Sequence, residues 1–360
     1  MGGRSGEHDV SLNSANSVIK ALDKNKYEVI PIGITKSGKW IAGPDVFKFL
    51  SAKVPKKTPE QILLPEPTNQ SLIAHNQVNF AAKVPLDVII PVLHGTYGED
   101  GKIQGLFELA NIPYVGSGVL GSAIGMDKII MKQLFNQAGL KTVKFYYFTK
   151  EEWRDNQKKV INEINSRLNY PLFVKPANLG SSVGINKVKS QKTLKWAINQ
   201  ACLYDRRIIV EQAVKNCREI ECAVLGNNQP RVSVPGEIIP GDEFYSFNDK
   251  YINNKYQAVI PTKLPQPIIK KIQTISIKAF KLLDLAGLAR VDFFIENNKK
   301  VIISEVNTMP GFTSISMYPK LWQASGISYE RVLDILIELA VERHKEKNQL
   351  TTDFNKKLKV

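Results

Sequence analysis

Three cysteines in 360 residues, Cys202, Cys217 and Cys222, are too few for a disulfide framework, and none of them forms a CxxC zinc spacing. They read as buried free thiols. No apolar stretch approaches the roughly 18 residues that a membrane-spanning helix needs. The first residues also lack the basic start and apolar core of a secretory signal. The chain is therefore expected in the cytoplasm, with no membrane partner. Internal repeats and low-complexity tracts are missing too, which sets aside repeat architectures and long linkers. Positive charge is abundant, at a formal net +15. The lysines are nevertheless scattered, with small clusters at Lys56-Lys57, Lys270-Lys271 and Lys299-Lys300, and no aromatic residues are interleaved with them. A nucleic-acid partner is therefore not expected.

What is present is an ordinary globular composition, 43% apolar and 23% charged, in a chain long enough for two or three domains without covalent staples. The glycine-rich start MGGRSGEHDVSLNSA leads into a helix with Leu12, Ala15, Val18, Ile19 and Leu22 on one stripe. YEVIPIGI then reads as a buried strand, Ser37-Gly38 with KWIAG as a hairpin, and the proline-rich residues 41–83 as an irregular peripheral insertion. LDVIIPVLHG has the continuous apolar form of a parallel strand buried on both faces, followed by a helix at 101–111. Residues 1–122 are thus an N-terminal α/β domain. A central unit, 123–205, holds helices at 123–139 and near 150–168 and the strands KFYYFT, PLFVKPA and INKVK. The unit 206–345 is strand-rich, with helices at 265–285 and 329–345, and 346–360 is a polar tail.

Two stretches carry chemistry by pattern. LARVDFFIENNKKVIISEVNTMPG places two strands around an Asn-Asn turn. Asp292 lies on the first, and Glu305 and Asn307 lie two apart on the second, so they share a face, with Arg290 pointing the same way. Converging hard oxygens suit magnesium and the phosphates of a nucleotide. A solvated polar sheet face is the competing reading. In FVKPANLGSSVG, Lys175 ends a strand and a small-residue loop containing Ser181 and Ser182 can offer backbone N–H groups to phosphate. Alone, that loop is equally an ordinary hairpin turn. Lys128 in GMDKIIMK could add a second cation, though alone it reads as a surface lysine, and Glu211 and Glu219 in VEQAVKNCREIECAVLG suit hydrogen bonds to an adenosine, though either alone reads as a strand-edge charge.

In order along the chain, GGRSGEHDVSL, HGTYGEDGKIQGLFE, GSGVLGSAIGMDK, FVKPANLGSSVG, EQAVKNCREIECAVLG, FYSFNDKY, ARVDFF and EVNTMPGFTSISMYP resemble the motifs of the D-alanine:D-alanine ligases, members of the ATP-grasp superfamily. The resemblance spans residue 2 to about 345. It implies an ATP-grasp fold, an α/β (α+β) architecture in which an N-terminal α/β domain precedes the two units that clasp ATP. It also implies ATP and two Mg2+ (or Mn2+) as cofactors, D-alanine as substrate, and a homodimer. Lys128, Lys175, Ser182 and the loop around Ser181 would hold ATP phosphates, Glu211 and Glu219 would face adenine and ribose, and Asp292, Glu305 and Asn307 would hold the metal. Glu7 would bind the first D-alanine's ammonium near His94, which stands beside Glu99, and Ser181 with Tyr251 would bridge Glu7 to a lid, GDEFYSFNDKY at 241–251, whose Lys250 reaches the phosphate side. Arg290 and the Gly311 N–H would stabilise the oxyanion, and Ser316 would contact the second D-alanine's carboxylate. The Lys250-Tyr251 pair implies dipeptide rather than depsipeptide synthesis. Competing expectations are a D-alanine:D-lactate ligase, another ATP-grasp carboxylate–amine ligase, or a nucleotide-binding relative without activity. The family pattern also places a strand ahead of the opening loop that this chain lacks. A start codon set too far downstream is the expected cause, with a truncated product as the alternative.

Overall fold

The computed structural model describes residues 1–43, 46–51, 60–68, 70–74, 83–180, 183–240 and 256–352. In the N-terminal segment, Met1 to Gly3 run parallel beside β1 (Ile32–Ile34), with Ile34 N–H donating to Met1 O and Gly3 N–H to Ile34 O, both at 2.8 Å. Helix α1 (His8–Ala21) follows the glycine loop. β1 pairs antiparallel with β2 (Trp40–Ala42), which is the expected hairpin, although YEVIPIGI contributes only its last three residues. Residues 41–83 are not irregular throughout: helix α2 (Val46–Ser51) and the antiparallel strands β3 (Gln61–Leu63), β4 (Ser71–Ala74) and β5 (Lys83–Pro85) lie there. Strands of three or four residues are too short to show an alternation, and the prolines between them hide the rest.

LDVIIPVLHG does not form the expected strand. It holds one parallel bridge, Ile89 to Tyr114, and then bonds locally, Val92 N–H to Ile90 O at 3.0 Å and Leu93 N–H to Pro91 O at 2.8 Å. Pro91 has no N–H for a ladder, so the run ends in turns that carry His94 and Gly95 inward. Helix α3 (Lys102–Leu109) follows.

The expected helix at 123–139 is two helices, α4 (Val119–Met126) and α5 (Lys128–Gln137). Asp127 separates them and caps α5, accepting from Ile129 and Ile130 N–H at 3.0 Å each. Likewise α6 (Lys150–Asp155) and α7 (Gln157–Arg167) are divided by Asn156, whose side chain accepts from Lys159 N–H. Strands β6 (Phe145–Thr149), β7 (Leu172–Pro176), β8 (Asn186–Val188) and β9 (Arg207–Gln212) form an antiparallel sheet in the order β6-β9-β7-β8, covered by α7 and α8 (Gln191–Ala201) around Ile164, Leu194 and Ile198.

The largest sheet joins β10 (Cys217–Gly226), β11 (Arg231–Val232), β12 (Gly236–Pro240), β13 (Tyr256–Val259), β14 (Gly287–Glu296) and β15 (Lys300–Asn307). Its order is β13-β12-β10-β14-β15, with β11 beside β10. β14 and β15 are the expected hairpin, turning through Asn297 and Asn298 at φ +52° and +54°. Helices α9 (Gln266–Leu282), α10 (Met317–Ala324) and α11 (Tyr329–Asn348) complete the chain. α5 and α9 cover one stretch of this sheet through Met131, Phe135, Phe280 and Val291. Another core brings Ala15 and Val18 of α1 together with Leu288, Tyr318, Leu333 and Leu336.

Candidate active site

Between the four-stranded sheet, the largest sheet and the N-terminal loops lies a cavity of about 540 Å³. Strand alternation supplies its floor. On β14, Val291, Phe293 and Ile295 are buried in the core, so Arg290 and Asp292 face the cavity. The register sets Arg290 opposite Asn307 and Asp292 opposite Glu305 on β15, while on the other side Glu221 of β10 faces Asp292 and Glu219 faces Phe294. Arg290 grips Asp292 with two bonds of 2.7 Å and lies 3.1 Å from Glu221, and Asn307 Nδ2 donates to Asp292 at 2.9 Å. Burial works against the Arg290 charge, but Asp292 and Glu221 outweigh it and hold its pKa well above the ordinary arginine value.

The opposite wall is cationic. Lys175 Nζ, at the end of β7, meets Glu211 Oε2 of β9 at 2.7 Å. Lys132 Nζ of α5 lies 3.2 Å from Glu211 Oε1 and donates to Ser304 O at 2.6 Å. Burial alone raises the Glu211 pKa; the two lysines outweigh it and hold the carboxyl below its usual range. Lys128, one helical turn before Lys132, donates to Leu179 O at 2.8 Å and lies 3.5 Å from Glu305.

The third wall is made by chain turns. Glu7 is the N-cap residue of α1 and is buried. Its Oε2 sits so close under Gly95 and Gly180 that a Cβ at either position would lie 2.4 or 2.8 Å from it. Glu99 accepts from Gly95 N–H at 2.6 Å and Met309 N–H at 3.3 Å. Burial and the Glu7 charge push its carboxyl up to about 8. His94 Nδ1 lies 3.1 Å from Met309 O, an acceptor only, so that nitrogen carries the proton and Nε2 accepts from Ser14 Oγ at 3.0 Å. Burial lowers the His94 pKa to about 4, so the ring is neutral. Ser14 in turn receives Phe312 N–H at 3.4 Å, which ties α1 to the loop carrying Gly311. Ser316, just before α10, turns its hydroxyl back to Thr313, 3.2 Å from Thr313 N and 2.8 Å from Thr313 Oγ1.

Twelve of the expected residues therefore line one cavity: Glu7, His94, Lys128, Lys175, Glu211, Glu219, Arg290, Asp292, Glu305, Asn307, Gly311 and Ser316. Ser181, Ser182, Lys250 and Tyr251, with the whole 241–251 segment, lie outside the described residues. Two participants were not anticipated. Lys132 follows Lys128 by one turn, and Glu221 follows Glu219 by one strand repeat, so period alone could have found both. Among the described residues, no three His, Cys, Asp or Glu side chains stand close enough to hold a metal by themselves. No helix of the described residues is long and apolar enough to cross a membrane.

Two antiparallel sheets closing on a cavity of cations and carboxylates, beside an N-terminal α/β segment, define the ATP-grasp class of fold. Profiles described as D-ala D-ala ligase N-terminus and C-terminus match residues 1–117 and 134–338. The chain is 48% identical over 357 residues to a D-alanine–D-alanine ligase of Natranaerobius thermophilus, covering 99% of this chain and 97% of that one. It is 47% identical over 361 residues to one of Geobacillus thermodenitrificans, covering 99% and 98%. The structure of the D-alanine–D-alanine ligase from Coxiella burnetii superposes with a TM-score of 0.83 at 37% identity, covering 97% of this chain and 94% of that one. A D-Ala:D-Ser ligase from Enterococcus faecalis gives 0.83 at 35% identity, covering 94% and 97%. The chain belongs to the D-alanine–D-alanine ligase family, a family of ATP-dependent ligases.

Proposed function

We propose that this protein joins two D-alanine molecules through a D-alanyl phosphate, forming D-alanyl-D-alanine, ADP and phosphate. The observation that carries the reading is the union in one cavity of a buried carboxylate pair, Glu7 and Glu99, with Lys128, Lys175 and the Arg290–Asp292–Glu305–Asn307 face. The pair suits an ammonium: its arrival favours both carboxylates in the charged form that burial and mutual repulsion oppose. Glu7 therefore receives the first D-alanine, and the neutral His94 fixes the wall beside it. Lys128 and Lys175 receive nucleotide phosphates and neutralise charge as the γ-phosphoryl group passes to the carboxylate. Glu211 and Glu219 border the nucleotide's base and sugar. The second amine attacks the acyl phosphate, and Arg290 with the Gly311 N–H stabilises the resulting oxyanion. Ser316 orients the second carboxylate.

Two carboxylates and one amide oxygen fit magnesium shared with substrate phosphates rather than a closed protein cage. Asp292, Glu305 and Asn307 would hold it, and it supplies charge neutralisation at the transferred phosphoryl group. The Lys250-Tyr251 pair supports D-alanine over D-lactate as the second substrate. The division at 1–122, 123–205 and 206–345, a cytoplasmic site and a homodimer belong to the same reading. Phosphate release from ATP and magnesium, measured with D-alanine alone and with D-lactate added, tests it. Release that depends on D-alanine and yields the dipeptide is expected; tight ATP binding without D-alanine-dependent release refutes the reading.

A further inference from the structure

Lys132 is 1% exposed, yet it ends in an amine and is not among the residues that line the cavity; burial pulls its pKa down and the Glu211 carboxylate works against that, favouring the charged form. A buried ammonium is costly to desolvate, and an apolar side chain of similar length on the inner face of α5 would avoid that cost. Its surroundings show what the charge does. Glu211 has two oxygens: Oε2 faces Lys175 at 2.7 Å and Oε1 faces Lys132 at 3.2 Å. Lys175 reaches the cavity, whereas Lys132 approaches from behind and is anchored to Ser304 O at 2.6 Å. Counting charges, Lys132, Glu211 and Lys175 together carry +1. Without Lys132, Glu211 and Lys175 would cancel, and a phosphate drawing Lys175 away would strand a buried carboxylate.

We propose that Lys132 is a positioning residue for nucleotide binding: by offsetting the Glu211 charge from behind, it leaves the Lys175 charge available to the phosphates. The proposal rests on the reading of this cavity as the ATP site. It requires that Lys132 matter only while Glu211 is charged. A merely structural role, filling the space under α5, would not depend on residue 211.

The test is a double-mutant cycle on the full chain, with the Kd for magnesium-ATP measured by calorimetry on the parent protein, Lys132→Met, Glu211→Gln and the double variant. Lys132→Met is expected to weaken ATP binding about tenfold or more when Glu211 is present, and less than about threefold when residue 211 is glutamine. The KM for D-alanine should stay within about twofold in Lys132→Met, because the first-substrate wall is untouched. The double variant removes one charge of each sign and so keeps the net +1 of the parent triad, and it remains informative if Lys132→Met does not fold. ATP affinity close to that of Glu211→Gln supports the proposal, and a further tenfold loss overturns it. Equal losses in both backgrounds also overturn it while leaving the ATP site intact. Failure of the parent protein to bind ATP overturns the reading of the site, and the proposal with it.

Discussion

The two sides of the cavity are built by opposite means. The face of β10, β14 and β15 is a ladder in which register alone puts Glu221, Arg290, Asp292, Glu305 and Asn307 side by side. The side around Glu7, His94 and Glu99 has no ladder at all. It is a set of turns fixed by side-chain bonds to the backbone and by glycines at which a Cβ would clash. A ladder tolerates the loss of one side chain without moving its neighbours, whereas a turn held by single bonds transmits every loss into position. The ladder side is therefore expected to fail through charge and the turn side through geometry.

The largest effect should come from the ladder. Arg290→Met removes the proposed oxyanion donor and leaves Asp292 and Glu221 facing one another without their shared cation, so kcat should fall by about 10²–10³-fold. Phosphate release checks this, and circular dichroism should show the fold retained. Gly95→Ala attacks the turns instead. The position has φ +76°, and the new Cβ would lie 2.4 Å from Glu7 Oε2 and 2.6 Å from Ser5 Oγ. A displacement of this kind should cost about 10²-fold in kcat/KM for D-alanine. Magnesium-ATP affinity should be unchanged; a parallel loss there would mean that the two sides are not separable.

A third test uses pH. The folded pKa of Glu99 is raised to about 8, so the folded state holds a proton that the unfolded carboxyl loses near its ordinary value. The associated stability is fully present below the unfolded pKa and is lost as pH rises through about 8. In the absence of substrate, Tm should fall across this window, and Glu99→Gln should flatten the slope. An unchanged slope in that variant would remove the carboxylate pair from the account. The smallest effect is expected for Ser14→Ala, which deletes the hydroxyl between His94 and Phe312 N–H at a cost of about 1 kcal/mol per bond lost. Kinetics should show it mainly as a modest rise in the KM for D-alanine, with kcat/KM for ATP unaffected.

The same contrast explains how much could be read from the chain. Arg290, Asp292, Glu305 and Asn307 follow from a two-residue period and one Asn-Asn turn, both visible locally. Lys132 shares the face of Lys128 by helical period, but its burial was hidden because its partners Glu211 and Ser304 lie far along the chain. The run LDVIIPVLHG misled because its apolar content reports burial, and burial does not imply a ladder when Pro91 interrupts it. The short strands β3, β4 and β5 were missed since three or four residues carry no period. The breaks at Asp127 and Asn156 were present as helix-capping residues, and the apolar periodicity running through both segments masked them.

The core that unites Ala15 and Val18 of α1 with Leu288, Tyr318 and Leu333 limits how the chain can be divided. Glu7 is the N-cap of α1, so the seat of the first substrate is held in place by residues some 300 positions further along the chain. A fragment ending before α4 would carry Glu7, His94 and Glu99 and still present an apolar flank to water. It would be sticky and poorly soluble, while the remainder would lack a lining for α11. Splitting this enzyme for reconstitution therefore calls for two pieces that meet before either is asked to stand alone.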